Sequence, residues 1–208
     1  MVQEQSIDTL AQYGGDICFD FINTVNTRRK GVDFEYLSSY DTFLDWCEKT
    51  ALCTTKQRRQ LKKYAQQHSM EKAKSLESVI RLRETLYALF SEIASKQTVG
   101  ETILHSFNTY LHTCFKQIEI KVQNGKFSLA YKKIDENLLF PTWPIIYAAY
   151  KMLLSDQLDR VKECYNCGWI FLDQTKNGQR KWCNPSTCGS VEKSRRYYER
   201  RKLMERNT

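Results

Sequence analysis

Four cysteines in the C-terminal quarter of the chain constrain its fold more than any other feature. They form two short pairs, Cys164-Tyr-Asn-Cys167 and Cys183-Asn-Pro-Ser-Thr-Cys188, and a glycine follows each pair. Two such pairs are typical of a tetrahedral zinc site, because one tight turn delivers two thiolates to the same ion. A glycine permits positive φ, which lets amide N–H groups turn toward the sulfurs. The spacing therefore predicts one structural zinc ion bound by Cys164, Cys167, Cys183 and Cys188.

Other interpretations of these cysteines are weaker. Four unrelated cysteines would not be expected to share this spacing. A disulfide framework requires an oxidising compartment, but the first residues, Met-Val-Gln-Glu-Gln, lack the basic and apolar regions of a signal peptide. A catalytic zinc normally keeps one position for water, whereas four thiolates close the site. We therefore expect a cytoplasmic protein, and we expect the other four cysteines, in apolar segments, to be buried: Cys18, Cys47, Cys53 and Cys114.

The residues between the two cysteine pairs predict a β-hairpin. Trp169 to Leu172 has the composition of a strand, and Asn177-Gly178 is a strong signal for a two-residue hairpin turn. Gln179 to Trp182 would then return the chain to the second cysteine pair. We expect the zinc site to be a ribbon built on this hairpin.

Positive charge is concentrated in the same quarter of the chain. The net charge is +8, and from Lys162 onward eleven Lys or Arg face five Asp or Glu. Ser190 and Glu192 predict a helix start after the last cysteine, and the helix that follows is basic on several sides. Such asymmetry favours an anionic partner, although a solvated tail is the alternative. The candidate nucleic-acid contacts are Arg180, Lys181, Lys193, Arg195, Arg196, Arg200 and Arg201.

The rest of the chain predicts a mainly α fold. Helical apolar periodicity is longest from Ser69 to Ser95 and continues from Glu101 to Phe115. Alternating residues on either side of Asn124-Gly125 predict a small β-hairpin. We expect a helical domain over residues 1–157, and a zinc ribbon with a basic C-terminal helix over residues 158–208, joined by a polar hinge at 155–162.

The N-terminal domain contains two sets of polar or charged residues that are candidates for a function. Asp20, Asn23, Thr24 and Arg83 interrupt apolar segments, and they predict either a small-molecule pocket or a structural polar network. The Arg28-Arg29-Lys30 triplet is interpreted as a solvated loop.

The C-terminal residues resemble the CGNR zinc-finger family of bacterial proteins. The resemblance rests on the following residues: Arg160-Val-Lys-Glu-Cys164, Cys167-Gly-Trp-Ile-Phe-Leu-Asp173, Asn177, Arg180-Lys-Trp-Cys183, Cys188-Gly189, Lys193 and the Arg/Tyr run after it. The N-terminal part is similar to the helical ABATE domain that accompanies this finger, at Phe19-Asp-Phe-Ile-Asn-Thr24 and Leu82-Arg-Glu-Thr-Leu-Tyr87. The Cys-Gly-Asn-Arg that names the family is Cys188-Gly189-Ser190-Val191 here, so any contact made by that Asn and Arg is absent. The resemblance implies a regulator of transcription that binds nucleic acid.

These observations favour a binding protein over an enzyme. The sequence has no Gly-rich phosphate loop, no nucleophile elbow and no His-based metal triad, so we expect no catalytic site. Our first hypothesis is a regulator whose zinc ribbon and basic helix dock on DNA, and binding to two half-sites would require a homodimer. A second hypothesis is a one-component sensor with a small-molecule effector pocket in the helical domain. RNA binding and a protein partner for the ribbon are the alternatives. No apolar run is long enough to span a bilayer, so we expect no membrane partner.

Overall fold

The fold combines helices with two short antiparallel hairpins. The computed structural model describes residues 4–29, 31–132 and 136–206, without the side chains at 196, 203, 205 and 206. The α-helices in these residues are α1 Ile17–Ile22, α2 Tyr40–Lys49, α3 Thr55–Gln67, α4 Ser69–Ala94, α5 Glu101–Phe115, α6 Thr142–Leu153 and α7 Ser190–Arg206. The strands are β1 Ile118–Gln123 paired with β2 Lys126–Tyr131, and β3 Val161–Glu163 paired with β4 Ile170–Leu172. The prediction of a mainly α fold with a zinc ribbon and a basic helix is confirmed.

Local capping signals set the starts of the second and third helices. Ser39 and Thr54 each accept a hydrogen bond from the backbone N–H three residues later, and the side chains of Thr42 and Gln57 bond back to complete a capping box. Serine and threonine are among the residues most favoured at an N-cap, so the start of each helix is encoded locally. Their side chains satisfy donors that the helical ladder itself leaves unpaired.

Helix α4 is the centre of the helical part. It packs against α1, α2, α3 and α5, and also against β3 and β4. Phe90 of α4 meets Phe19 of α1 edge to face, with ring centroids 4.9 Å apart. The four cysteines outside the zinc site are buried in this core, as the sequence predicted. None of the helices in the described part of the chain combines the length and apolar character needed to cross a bilayer.

The zinc ribbon shares the core of the helical part. Val161, Ile170 and Phe171 are at most 3% exposed and belong to the same cluster of buried residues as the helices. The predicted boundary at 157/158 falls between the end of α6 and a 3-10 turn at Leu158–Arg160. The boundary itself remains a prediction.

Two predictions about this region are wrong in detail. Strand β4 pairs with β3, which precedes the first cysteine pair, and Asn177-Gly178 forms a turn in an irregular loop instead of a hairpin between strands. The expected polar hinge at 155–162 includes the first residues of β3, because Val161 is apolar and packs into the core. Long-range packing therefore overrode the local turn signal.

Candidate zinc centre and nucleic-acid interface

The four cysteine sulfurs of the two pairs lie at the corners of one small tetrahedron. The Sγ atoms of Cys164, Cys167, Cys183 and Cys188 all lie within 4.8 Å of one another. Cys183 Sγ is 3.7 Å from both Cys167 Sγ and Cys188 Sγ. A zinc ion with Zn–S bonds of about 2.3 Å requires tetrahedron edges of roughly 3.8 Å. The two 3.7 Å distances match this edge, and the wider spacings need shifts of at most about 1 Å for the four sulfurs to bind one zinc ion.

Two different turns bring the sulfurs together. The first pair lies at the tip of the β3–β4 hairpin, where Cys164 N–H donates to Trp169 O at 2.8 Å and Gly168 N–H donates to Cys164 O at 2.9 Å. The second pair spans a single π-helical turn at Pro185–Gly189, which an i→i+5 bond from Gly189 N–H to Asn184 O closes. A turn of five residues suits the four residues that separate Cys183 from Cys188.

Asn184 and the following helix extend the second turn. The Asn184 side chain accepts from the N–H groups of Ser186 and Thr187, at 2.7 and 3.2 Å, and so caps the π turn. The sequence predicted Ser190 as an N-cap, whereas Ser190 already has helical dihedrals and α7 continues directly from the turn. The direction of α7 is therefore fixed by the zinc ligand two residues before it.

The sulfurs are too close for all four thiols to ionise without a cation. Hydrogen bonds from the neighbouring thiols, first of all Cys167, lower the pKa of Cys164, while hydrogen bonds with Cys164 raise the pKa of Cys183. The backbone N–H of Cys167 also hydrogen-bonds to the Cys164 sulfur. A divalent cation that binds thiolates would neutralise the charge of the four ionised sulfurs. The electrostatics therefore support a zinc ion at this site, as the geometry does.

A segment of the helical part, residues 14–28, binds along the ribbon through backbone groups, and we call it the docking segment. Leu172 N–H donates to Gly14 O at 2.8 Å, and Arg28 N–H donates to Cys167 O at 2.7 Å. The Trp169 indole N–H donates to Val25 O at 2.8 Å. The ribbon is therefore positioned by the helical part at both ends of β4 and at the zinc ligand itself.

Arg28 corrects the interpretation of the basic triplet. Its side chain is 5% exposed, forms an ion pair with Glu84, donates to Ile22 O at 2.8 Å and lies 4.1 Å from the Tyr87 ring centroid. Although burial raises the pKa of Glu84, the hydrogen bonds from Arg28 and the charge of Arg83 hold it below its ordinary value. Arg29 pairs with Glu163 at 2.9 Å, and Lys30 lies outside the described residues. Arg28 and Arg29 are thus part of the junction with the ribbon and not a solvated loop.

Sequence reasoning did not single out Asp173, which organises the loop after β4. Its carboxylate accepts from Thr175 N–H and Oγ1, from Arg180 N–H at 2.7 Å and from Lys162 Nζ at 3.0 Å. Although burial raises the pKa of Asp173, these hydrogen bonds and the lysine hold it far below the ordinary range. An Asp-x-Thr sequence directly after a strand is the local signal that could have identified this turn.

The residues of the predicted small-molecule pocket are engaged by protein groups. Asn23, Thr24 and Arg83 are at most 3% exposed. Asn23 binds both backbone groups of Ile170, while Arg83 forms a bidentate pair with Glu35 at 2.6 Å and also binds Thr24. Asp20 accepts from Gly14 N–H at 2.8 Å, and burial raises its pKa to about 6. Arg83 and Thr24 contact each other, whereas Asp20 and Asn23 each bind other groups. A ligand at these residues remains a prediction.

The predicted nucleic-acid contacts divide into partly buried and exposed groups. Arg180 is partly buried and engaged by the ribbon: its guanidinium donates to Cys183 O and stacks 4.8 Å from the Phe171 ring centroid. The exposed basic residues are Lys181, Lys193, Arg195, Arg200 and Arg201. Arg195 pairs with Glu192 and Glu199, and the side chain of Arg196 lies outside the description.

Helix α7 has little packing beyond the π turn that precedes it. Its apolar side chains are largely exposed, with Val191 at 56%, Tyr197 at 58%, Tyr198 at 62% and Met204 at 70%. At helical spacing, Tyr197 follows Lys193 by one turn and precedes Arg200 and Arg201 by another. The exposed surface of α7 therefore mixes positive charge with aromatic rings.

A cleft of about 690 Å³ lies between the end of α4 and the ribbon. Its basic lining residues are Arg29, Lys162, Arg180 and Lys181, and its hydroxyl groups come from Ser91, Ser95 and Tyr165. Within the part of the chain that the structure describes, the Lys181 ammonium and the Tyr165 hydroxyl have no protein partner. The cleft has room for a small anion beside the zinc centre.

Comparison with known families gives two matches. A family model described as "CGNR zinc finger" matches residues 160–201. A second, described as "ABATE: Putative stress-induced transcription regulator", matches residues 15–112. No curated protein showed a significant match to the chain.

Proposed function

We propose that this protein, which belongs to the CGNR zinc-finger proteins with an N-terminal ABATE domain, binds nucleic acid through α7 and regulates transcription. The observation that carries the proposal is a basic, solvent-exposed helix whose direction is fixed by a zinc ligand. A helix held in this way presents its cations from an ordered backbone, so binding costs only the ordering of the Lys and Arg side chains.

Double-stranded DNA is the target we favour. Helix α7 has 17 residues, so it is about 25 Å long at a rise of 1.5 Å per residue. The major groove of B-DNA admits an α-helix, whereas the major groove of A-form RNA is too deep and narrow for side chains to read. Tyr197 and Tyr198 favour the alternative of single-stranded DNA or RNA, because exposed rings stack on unpaired bases.

The test is a fluorescence-anisotropy titration of the zinc-loaded protein against duplex DNA, single-stranded DNA and RNA at several salt concentrations. Phosphate contacts release counterions, so log K should fall steeply with log salt. Replacing Lys193, Arg200 and Arg201 by Ala should weaken binding and reduce the slope by about one for each phosphate that is no longer neutralised.

The matched control removes the same charge from a different surface. Lys56, Arg59 and Lys63 are exposed on α3, and their triple Ala variant should keep the wild-type slope. Equal weakening of binding in both triple variants would indicate only a net-charge effect. A slope near zero for the wild type would refute nucleic-acid binding, including the RNA alternative, and would leave a protein partner for the ribbon.

A second candidate function is the recognition of an anionic effector in the cleft beside the zinc centre. The cleft residues come from the end of α4, from Arg29 directly after the docking segment and from the ribbon, so a ligand there would contact both parts of the molecule. Lys181 and Tyr165 supply donors without protein partners in the described residues. Such a ligand would stabilise the native state by RT ln(1 + L/Kd), where L is the free ligand concentration.

Thermal-shift measurements with inorganic phosphate, pyrophosphate and phosphorylated metabolites test this second function. We expect a compound that raises the melting temperature of the wild type and has no effect on Lys181→Gln. Identical shifts in the variant and the wild type would place the compound elsewhere. No shift across the panel would count against an effector in this cleft.

A further inference from the structure

The β1–β2 hairpin extends beyond the helical core with an apolar face uncovered. Ile120 is 64% exposed, Val122 60%, Phe127 81% and Leu129 36%. The register pairs Ile120 with Leu129 and Val122 with Phe127, so these four side chains lie on the same face of the hairpin.

The base of the same face packs on the helical core. Ile118 pairs with Tyr131, and the Tyr131 ring contacts Phe140 and Trp143 with centroids 6.3 and 5.8 Å apart. The apolar face therefore continues outward from a packed region into solvent. A contiguous exposed apolar patch of this kind marks an interaction surface, and an isolated two-stranded hairpin is marginally stable without such cover.

The turn of the hairpin determines which residues of β1 have backbone N–H and C=O groups that face away from β2. Asn124 and Gly125 have φ of 51° and 74°, which is a two-residue turn with both central residues left-handed. In such a hairpin the residues that flank the turn, Gln123 and Lys126, form a hydrogen-bonded pair, and every second pair along the strands does the same. The bond from Lys132 N–H to Gln117 O at the other end of the hairpin fits this alternation. The alternation therefore directs the N–H and C=O groups of residues 118, 120 and 122 away from β2.

We propose that this edge pairs with the same edge of a second copy of the chain, antiparallel about Ile120. The product is an isologous dimer with a four-stranded sheet in the order β2-β1-β1-β2. Ile120 lies opposite the partner's Ile120, and Ile118 lies opposite the partner's Val122. The two exposed apolar faces then join into one continuous face.

Charge complementarity favours this register over its neighbours, although Glu119 and Lys121 already form an ion pair of 2.9 Å within each chain. In the dimer the two ion pairs lie side by side, each charge next to the opposite charge of the partner. Centred on Ile120, the pairing places Glu119 opposite the partner's Lys121, and the two-fold axis generates the same pair again. A centre at Glu119 or at Lys121 would place identical charges opposite each other, which is destabilising. A shift that places Ile120 opposite the partner's Lys121 would mix the apolar and polar faces.

The edge of β2 is less suited to self-pairing. Centred on Leu129, that pairing would place Lys126 opposite the partner's Lys132. Self-pairing of β2 would therefore place like charges opposite each other, whereas self-pairing of β1 places opposite charges there. The partner chemistry that fits β1 best is a second β1.

The experiment measures the mass of the full-length, zinc-loaded protein by sedimentation equilibrium, without nucleic acid. We expect twice the chain mass of 24.6 kDa. Glu119→Lys and Lys121→Glu should each raise the dimer dissociation constant at least roughly tenfold, because each replaces two attractive pairs by two repulsive ones. The double variant Glu119→Lys/Lys121→Glu should restore the dimer.

A second variant tests the backbone edge directly. Ile120→Pro removes an N–H that points away from β2, so it should abolish the dimer while the far-UV circular dichroism stays that of the wild type. Amide exchange of residues 118, 120 and 122 should slow with rising concentration in the wild type only. Lys63→Glu on α3 changes the same charge as Lys121→Glu and should leave the dimer intact.

Two outcomes would overturn the proposal. One is a monomeric wild type at concentrations up to about 100 µM, at which even a weak interface of micromolar affinity is filled. The other is a dimer that persists unchanged in Ile120→Pro and in both single charge variants. Neither outcome bears on nucleic-acid binding by α7, because the measurement contains no nucleic acid.

Discussion

At Gly168 the backbone has φ of +75°, and a Cβ there would lie 2.9 Å from the Cβ of Arg28. Two requirements therefore exclude a side chain at this position: the left-handed backbone and the close approach of the docking segment. The first requirement follows from the turn after Cys167. The second exists only because Arg28 N–H bonds to the carbonyl of that cysteine.

Gly168→Ala should lower the free energy of unfolding by about 3 kcal/mol, since it adds a steric clash to the left-handed backbone cost. Gly125→Ala is the matched control, because Gly125 has φ of +74° and nothing lies within 4 Å of its Cβ position. The control should cost only about 1 kcal/mol. Urea denaturation of the zinc-loaded proteins measures both, and equal losses would show that the approach of Arg28 has no energetic weight.

Asp20 makes stability depend on pH. Burial raises its pKa to about 6, compared with about 3.9 for an unfolded Asp. The native state therefore binds this proton more tightly than the unfolded state. Its contribution to stability is present below about pH 4 and is lost as pH rises through about 6.

Asp20→Asn should remove this dependence while its Oδ1 still accepts from Gly14 N–H. We expect the variant to match the wild type near pH 4 and to exceed it by on the order of 1 kcal/mol at pH 7. Denaturation at a series of pH values measures the difference. A difference that stays constant between pH 4 and pH 7 would contradict the assignment.

At the scale of elements, a side chain forms the two hydrogen bonds with β4 that a neighbouring strand would otherwise form. Asn23 Nδ2 donates to Ile170 O at 2.8 Å, and Ile170 N–H donates to Asn23 Oδ1 at 3.0 Å. Asn23 is the C-cap of α1, so one amide group joins a helix end to the ribbon. Few other side chains can donate and accept in this way.

Asn23→Asp keeps the acceptor and loses the donor, and it places a carboxylate against the Ile170 carbonyl. We expect a loss of about 3 kcal/mol in the free energy of unfolding, because a buried charge is left without a partner. Asn23→Ala, which removes both bonds and adds no charge, should cost less. Equal stability of Asn23→Asp and the wild type in urea denaturation at pH 7 would show that the Ile170 contact does not hold β4.

At the scale of the whole molecule, the zinc centre and the helical part stabilise each other. The docking segment bonds to the ribbon at Gly14, Asn23, Val25 and Arg28. Structural zinc contributes roughly 10–16 kcal/mol of apparent binding free energy in isolated fingers, which is as large as the whole stability of a typical domain, about 5–15 kcal/mol. Loss of the ion should therefore affect helices that contribute no ligand.

Removal of zinc by a chelator should release amide protection in residues 14–28 together with the ribbon. Helix α3 packs mainly on α2 and α4, so its amides should keep more of their protection. Hydrogen exchange with mass-spectrometric detection measures both segments. Unchanged protection of residues 14–28 after complete loss of zinc would contradict the coupling.

The sequence by itself determined the features that depend on neighbouring residues: the four zinc ligands, the capping boxes at Ser39 and Thr54, and the turn at Asn124-Gly125. Their geometry is set within a few bonds of chain, so spacing and residue type suffice. Only the tertiary structure decided the partner of β4 and the roles of Asn23 and Arg28. These pairings join residues far apart in the chain, and they depend on how the core packs.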